Sequence, residues 1–178
     1  YKVTVDGSGE DTGAYKFRFL DRDAATPVNL DTDISSAFTD KLQTDTYSFE
    51  IPTTPLTSTP NGKQYIYIDG QAGDYNNRYD IYDAAGRNIT NAYVYEDREL
   101  YLDAGKYWLT LSGNGIANNN YKVRIITAPL TTTAMNLGDT VAGSIDKKGE
   151  QDSFTFTGTA GQQLFFDTLN TTNYFPIT

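Results

Sequence analysis

The chain has 178 residues and a net charge of −9, from 23 acidic against 14 basic side chains, and it contains neither Cys nor His. That excludes a disulfide framework, thiolate chemistry, Ser-His-Asp triads and HExxH zinc sites within the chain, and without a basic cluster there is no nucleic-acid footprint. No apolar run nears the roughly 18 residues that a membrane span needs, while 14 Tyr, 9 Phe and 15 Gly point to short strands joined by tight turns.

In chain order, Tyr1, Val3 and Val5 alternate with Lys2 and Thr4, as in a half-buried strand. No initiator Met and no signal-peptide pattern precede it, so the chain is expected to be a fragment or a processed product. Gly7, Gly9 and Gly13 follow with GxGxxxG spacing, but a strand with Tyr15, Phe17 and Phe19 inward comes next. A dinucleotide fingerprint would need a helix there to receive its pyrophosphate. A loop over 21–33 leads to a short segment around Leu30 and Ile34, then a strand over 45–51 with Tyr47, Phe49 and Ile51 inward. A Pro/Thr-rich loop over 52–62 ends in an Asn-Gly turn. Strands are expected at 65–68, 78–82, 92–95 and 99–102, and a hairpin over 107–125 closes this run. Residues 127–135, with Pro129 and three consecutive threonines, read as a linker. No segment shows helical periodicity, so the expectation is an all-β antiparallel β-sandwich.

The hairpin at 107–126 matches residues 1–20 at 7 of 20 positions, and 136–157 matches 29–50 at 5 of 22. Unrelated sequences would share about 2 or 3 of those 42 positions, so a repeat of about 106 residues is inferred. The first offset is 106 and the second 107. A complete unit over 28–127 is then flanked by the closing strands of a preceding unit, 1–27, and the opening half of a following one, 128–178. Bare strand edges at both ends predict pairing with neighbouring repeat units or with copies of the same chain. The expected core includes Phe17, Tyr47, Phe49, Leu109, Leu111, Val123, Ile125, Phe154 and Phe156.

The order of three kinds of segment carries a family resemblance. The opening segments are Gly143-Ser144-Ile145, Asp152-Ser153-Phe154-Thr155-Phe156 and Gly161-Gln162-Gln163-Leu164; Tyr82-Asp83-Ala84-Ala85-Gly86 and the run from Leu102 to Gly113 are the middle and closing ones. In that order they resemble the bacterial pre-peptidase C-terminal (PPC-like) β-sandwich, as found in tandem in large secreted or surface proteins. The resemblance implies a jelly-roll-like, non-catalytic extracellular module at the cell surface: an adhesive, spacer or filament unit. Its alternatives are a carbohydrate-binding module and an accessory domain of a secreted peptidase. The Pro/Thr insertion at 52–60, and Ser36 and Ala37 where the second copy has Gly143 and Ser144, depart from the pattern.

Calcium is the one candidate ligand ion. Asp69, Asp74, Asn76, Asn77 and Asp80 crowd one stretch, and Ca²⁺ takes six to eight oxygens of this kind; the alternative is that Asp and Asn are ordinary turn residues. We take Asp69, Asp74, Asn76 and Asp80 as the candidate set. Asp31-Thr32-Asp33-Ile34-Ser35 begins like an EF-hand loop but lacks its Gly and its Glu. Tyr75, Tyr79, Tyr82, Tyr93, Tyr95, Tyr101 and Trp108 could stack on a surface polysaccharide, or could be core and cross-strand residues. Asn88-Ile89-Thr90 and Asn170-Thr171-Thr172 are glycosylation sequons by pattern. With 23 acids, carboxylate pairs for glycoside hydrolysis are unspecific, and the chain is expected not to be an enzyme.

Overall fold

A computed structural model describes residues 1–54, 59, 61–113, 115 and 119–169. Its strands are β1 (Thr26–Pro27), β2 (Asp33–Phe38), β3 (Thr44–Ile51), β4 (Gln64–Ala72), β5 (Arg78–Tyr82), β6 (Asn88–Tyr93), β7 (Arg98–Leu102), β8 (Gly105–Ser112), β9 (Asn119–Ile126), β10 (Leu130–Ala134) and β11 (Gln151–Thr155). One sheet has the order β1-β3-β8-β5-β6 and a second the order β2-β9-β4-β7, while β10 and β11 form a separate parallel pair. Within the two larger sheets every pairing is antiparallel except β1 with β3. The chain is an all-β sandwich.

The period-2 pattern of each strand decides which face is buried. On β8, Tyr107, Leu109 and Leu111 enter the core; on β9, Tyr121, Val123 and Ile125 meet them. Phe49 and Ile51 on β3, Ile66 and Ile68 on β4, and Tyr79 and Ile81 on β5 complete the layer between the sheets. Phe49 stacks on Tyr107 with ring centroids 5.6 Å apart. Trp108, on the opposite face of β8, is covered from outside: its indole Nε1 donates to the Arg22 carbonyl at 2.7 Å, and the Arg22 guanidinium lies 4.1 Å over its ring. Alternation alone left either face of β8 open as the core face; the loop over 21–25 closes the question by roofing Trp108.

Two polar clusters tie the sheets and their edges. Gln43 Nε2 donates to Asp45 at 2.7 Å, and the Tyr121 hydroxyl donates to the same carboxylate at 2.7 Å. With its proton committed there, Tyr121 accepts from the Tyr47 hydroxyl at 2.6 Å, so β3 of one sheet is bonded to β9 of the other. Burial, then the bonds to Tyr47 and Asp45, raises the Tyr121 phenol above its usual range. At the β2–β9 edge, Asp33 meets Lys122 at 2.7 Å and Arg124 at 2.5 Å, and accepts from Gln71 at 3.1 Å. Lys122 foremost, with Gln71 and Arg124, holds the Asp33 carboxyl at about 2.

The ends of the chain depart from the expected pattern. Residues 1–20 form no strand and are exposed throughout, so Phe17 is outside the core. The threonine-rich stretch expected to be a linker is β10, paired with β11, whereas Phe154 and Phe156 are exposed. Asn170 of the second sequon, the masked part of the Pro/Thr loop and most of the 113–118 turn lie outside the described residues.

Residues 133–155 nevertheless share local geometry with residues 26–48, 107 positions earlier. Thr26 pairs with Tyr47 and Pro27 with Ser48; Thr133 pairs with Phe154 and Ala134 with Thr155. Val28 N donates to Ser48 O at 2.9 Å, and Met135 N to Thr155 O at 2.9 Å. The Gln43 amide oxygen caps the Thr39 and Asp40 N–H groups, and the Glu150 carboxylate caps those of Asp146 and Lys147. Asp31 (φ 63°) corresponds to Gly138 (φ 93°), both in the left-handed region. The counterpart of β2, 140–145, is not a strand. β2 itself bonds only to β9, and among the described residues no strand lies beside 140–145.

Two outcomes follow for the complete sandwich. Phe49 is 2% exposed, so Phe49→Ala should cost about 3–5 kcal/mol through lost burial and a cavity; a change below about 1 kcal/mol in chemical denaturation would place it outside the core. Asp33 has a folded-state pKa below its ordinary 3.8, so its pairing stabilises the fold above about pH 4 and is lost as pH falls through about 2. Thermal melting across that interval should show less acid destabilisation in Asp33→Asn than in the wild type; parallel profiles would contradict the assignment.

Candidate functional site

The carboxylates expected to bind calcium are directed to separate protein partners. Asp69, on β4, is 3% exposed and is met by the Lys148 ammonium at 2.5 Å. That hydrogen bond, ahead of the surrounding charges, raises the Lys148 pKa. Asp74 caps its own turn, accepting from Asn76 N at 2.9 Å, while its carbonyl accepts from Asn77 N at 3.0 Å. Asn77 is buried, and its carbonyl accepts from Val94 N at 2.9 Å. Asp80 accepts from Asn88 Nδ2 across the β5–β6 pair at 2.9 Å. Asp31 and Asp33 of the EF-like stretch are bonded to Thr127 and to Lys122 and Arg124. Among the described residues no group of three or more Asp, Glu, His or Cys side chains is gathered to hold a metal ion. The calcium reading therefore rests on sequence spacing alone.

The candidate sugar-binding aromatics are dispersed. Tyr79 and Trp108 are buried, whereas Tyr75, Tyr95 and Tyr101 are exposed. Tyr93 and Tyr95 stack on each other at 5.6 Å, with Arg78 over Tyr93. Tyr101 lies against Tyr65 at 5.2 Å and reaches Gln151. This last contact belongs to a third layer: residues 148–153 lie on the outer face of β4 and β7. There Lys148 meets Asp69, Gln151 donates to Glu99 at 3.0 Å, and Gly149 sits against the Tyr67 ring, where a Cβ would come within 2.4 Å of Cγ. A depression of about 310 Å³ between the layers is lined by Lys63, Tyr101, Leu130 and Gln151 among others.

The largest departure from an ordinary surface is at the two ends. Tyr1, Val3, Val5, Tyr15, Phe17 and Phe19 are exposed, although their counterparts 106 residues on, Tyr107, Leu109, Leu111, Tyr121, Val123 and Ile125, are all core. Val141, Ile145 and Phe156 are likewise exposed, although their counterparts Ile34, Phe38 and Phe49 are buried. Large apolar side chains exposed in such numbers are what a partner surface would cover. Periodicity found these residues and mistook their state: among the described residues no strand is paired beside them. The roles of Lys148 and Arg22 as anchors of the outer segments carried no signal in the sequence.

Calcium would have to displace Lys148 from Asp69 and Asn88 from Asp80. With those pairings kept, the expected rise in melting temperature at millimolar Ca²⁺ is below about 1 °C; a site with Kd near 0.1 mM would add about 1.4 kcal/mol at 1 mM and raise it by about 3–6 °C, and that result would favour the calcium set.

No protein-family model matches the sequence, and no curated protein matches it. Among solved structures, the chain is similar to the pre-peptidase C-terminal domain of a collagenase from Bacillus anthracis, at 15% identity and TM-score 0.46 over 57% of this chain and 93% of that one. It is also similar to PliG of Aeromonas hydrophila, a periplasmic lysozyme inhibitor of g-type lysozyme, at 13% identity and TM-score 0.38 over 57% and 96%.

Proposed function

We propose that the chain is a non-catalytic structural repeat module of a large extracellular bacterial protein, one that assembles by completing half-units with β-strands from its neighbours. Its organisation is a complete sandwich over 28–127 between the closing strands of one unit, 1–27, and the opening half of another, 128–178. The observation that carries the reading is the exposure of side chains at both ends whose counterparts form the core of the complete unit. The matching register of β10–β11 and β1–β3 supports it. So does the lack of a strand over 140–145, with no described strand beside it, since an unpaired extended segment has no ladder to join.

Such a module works through its edges rather than through a pocket. The backbone of 1–20 and 140–145, which joins no strand ladder, and the free edge of β11 are templates for strand addition, and the net charge of −9 keeps unassembled chains apart. An extracellular or cell-surface location fits a role as adhesive or filament unit. No helix among the described residues is long and apolar enough to cross a membrane, which leaves β-barrels unaddressed.

Sedimentation velocity over a wide range of protein concentration tests the reading. The weight-average mass should rise with concentration, with a gain of β signal in circular dichroism. Phe17→Asp and Phe156→Asp should each suppress the rise while leaving the melting of the central sandwich unchanged. A chain that stays monomeric at every concentration with no gain in β structure would refute it.

A further inference from the structure

The outer face of β4 carries side chains that take no part in the core between the sheets. Ile66 and Ile68 point inward, so Tyr65, Tyr67 and Asp69 point outward. That face is not left to water. Tyr65 is fully buried although it lies outside the cluster that Ile66 and Ile68 join, and the Asp69 side chain is 5% exposed. A carboxylate so deep needs a countercharge. Among the described residues its one ion-pair partner is Lys148, at 2.5 Å and 79 positions away in sequence. The next residue suits the face for a different reason. Gly149 has φ 75°, and an added Cβ would stand 2.4 Å from Tyr67 Cγ and 2.5 Å from its Cβ. Tyr67 is held in place: its hydroxyl donates to Asp97 at 2.6 Å, and Asp97 also accepts from Gly70 N at 2.9 Å. Gln151 then donates to Glu99 on β7 at 3.0 Å. The turn 107 positions earlier has Leu42 where this one has Gly149. Its side-chain cap is alike, yet Leu42 is 81% exposed and does not take positive φ. The glycine thus serves the face and not the cap.

We propose that Lys148, Gly149 and Gln151 form a clamp that fixes the β10–β11 pair on the outer face of β4 and β7, so that the pair and the sandwich move as one body. The threonine-rich stretch after Ile126 would by itself leave the two free to move against each other, as segments joined by a linker do. The clamp removes that freedom with a specific fit. Its ion pair is effective because one partner is dry. Two water-exposed charges would hold each other weakly, whereas stripping Lys148 from Asp69 leaves a buried carboxylate uncompensated. Lys148 is itself 62% exposed, so its ammonium stays hydrated on the far side. Gly149 lets the backbone of the turn lie directly on the Tyr67 ring, and Gln151 carries the contact across to β7. The clamp is a separate matter from strand completion: it lies within one chain and involves only β4, β7 and the segment from β10 to β11. For a repeat protein it makes this junction stiff rather than hinged.

The absence of native Cys allows a direct test on the full chain by spin labelling. Ala84→Cys, in the exposed turn between β5 and β6, and Thr133→Cys, exposed on β10, report the distance from the sandwich to the pair. Double electron–electron resonance on dilute protein reads single chains, so the outcome does not depend on whether the chain associates. The labelled parent should give one narrow distance distribution. Gly149→Ala pushes the turn off Tyr67, and Asp69→Asn removes the ion pair without touching the turn; each should widen the distribution about twofold or more while thermal melting of the sandwich stays cooperative. Asp69→Asn combined with Lys148→Met should widen it no further than Asp69→Asn alone, because the two act through one contact. Lys147→Met, at an exposed side chain beside the clamp, should change nothing. A broad distribution in the parent, or one that stays narrow in both Gly149→Ala and Asp69→Asn, would overturn the clamp. So would widening by Gly149→Ala alone, since strain confined to the turn would give that result.

Discussion

Each sheet of the sandwich is held together by one strand of the last hairpin. β9 bridges β2 to β4, and β8 bridges β3 to β5. Remove the hairpin and β2 has no backbone partner, the four-stranded sheet is cut in two, and the inward rows of Ile34, Ile66 and Phe49 lose the face that covers them. Burying apolar side chains is worth about 25 cal/mol per Å², but a strand can deliver that burial only if its peptide groups are bonded at the same time. The unit is therefore closed by the part of its sequence that is made last.

That constraint accounts for similar sequence patterns taking different states among the described residues. Thr131 to Thr133 extend as β10 because β11 is beside them. Val141 and Ile145 have the alternation of β2 and no ladder to join. Val3 and Phe17 have the alternation of β8 and β9 and no sheet around them. The polar elements behave the same way: the side-chain cap at Gln43 is local and recurs at Glu150, whereas the bond from Tyr121 to Asp45 spans two sheets and forms only where both are present.

Most strands of the central sandwich were legible in the sequence through their alternation, and Phe49, Leu109, Leu111, Val123 and Ile125 are buried where it put them, whereas β1 lies in the expected loop and β6 (Asn88–Tyr93) starts before the strand expected at 92–95. β10 was hidden because a Thr/Pro-containing stretch reads as a linker until its partner, some twenty residues on, is known. Trp108 could not be assigned a face because the residue that covers it, Arg22, is 86 positions away. The acidic stretch reads as a ligand set because its residues are close in sequence; the pairings of Asp69 with Lys148 and Asp80 with Asn88 involve partners that closeness does not show. What lies on a single strand is readable; what depends on a second segment is not.

The central claim is that the exposed segments 1–20 and 140–145 become ordinary sandwich strands when strands of neighbouring units pair with them. Amide hydrogen exchange, followed by mass spectrometry from dilute to concentrated protein, reads this peptide by peptide. The account predicts that 15–19 and 141–145 exchange freely when dilute and gain protection together on concentration, while the complete unit from β2 to β9 is protected throughout. Protection that never develops in either segment, or that develops in one without the other, would contradict it.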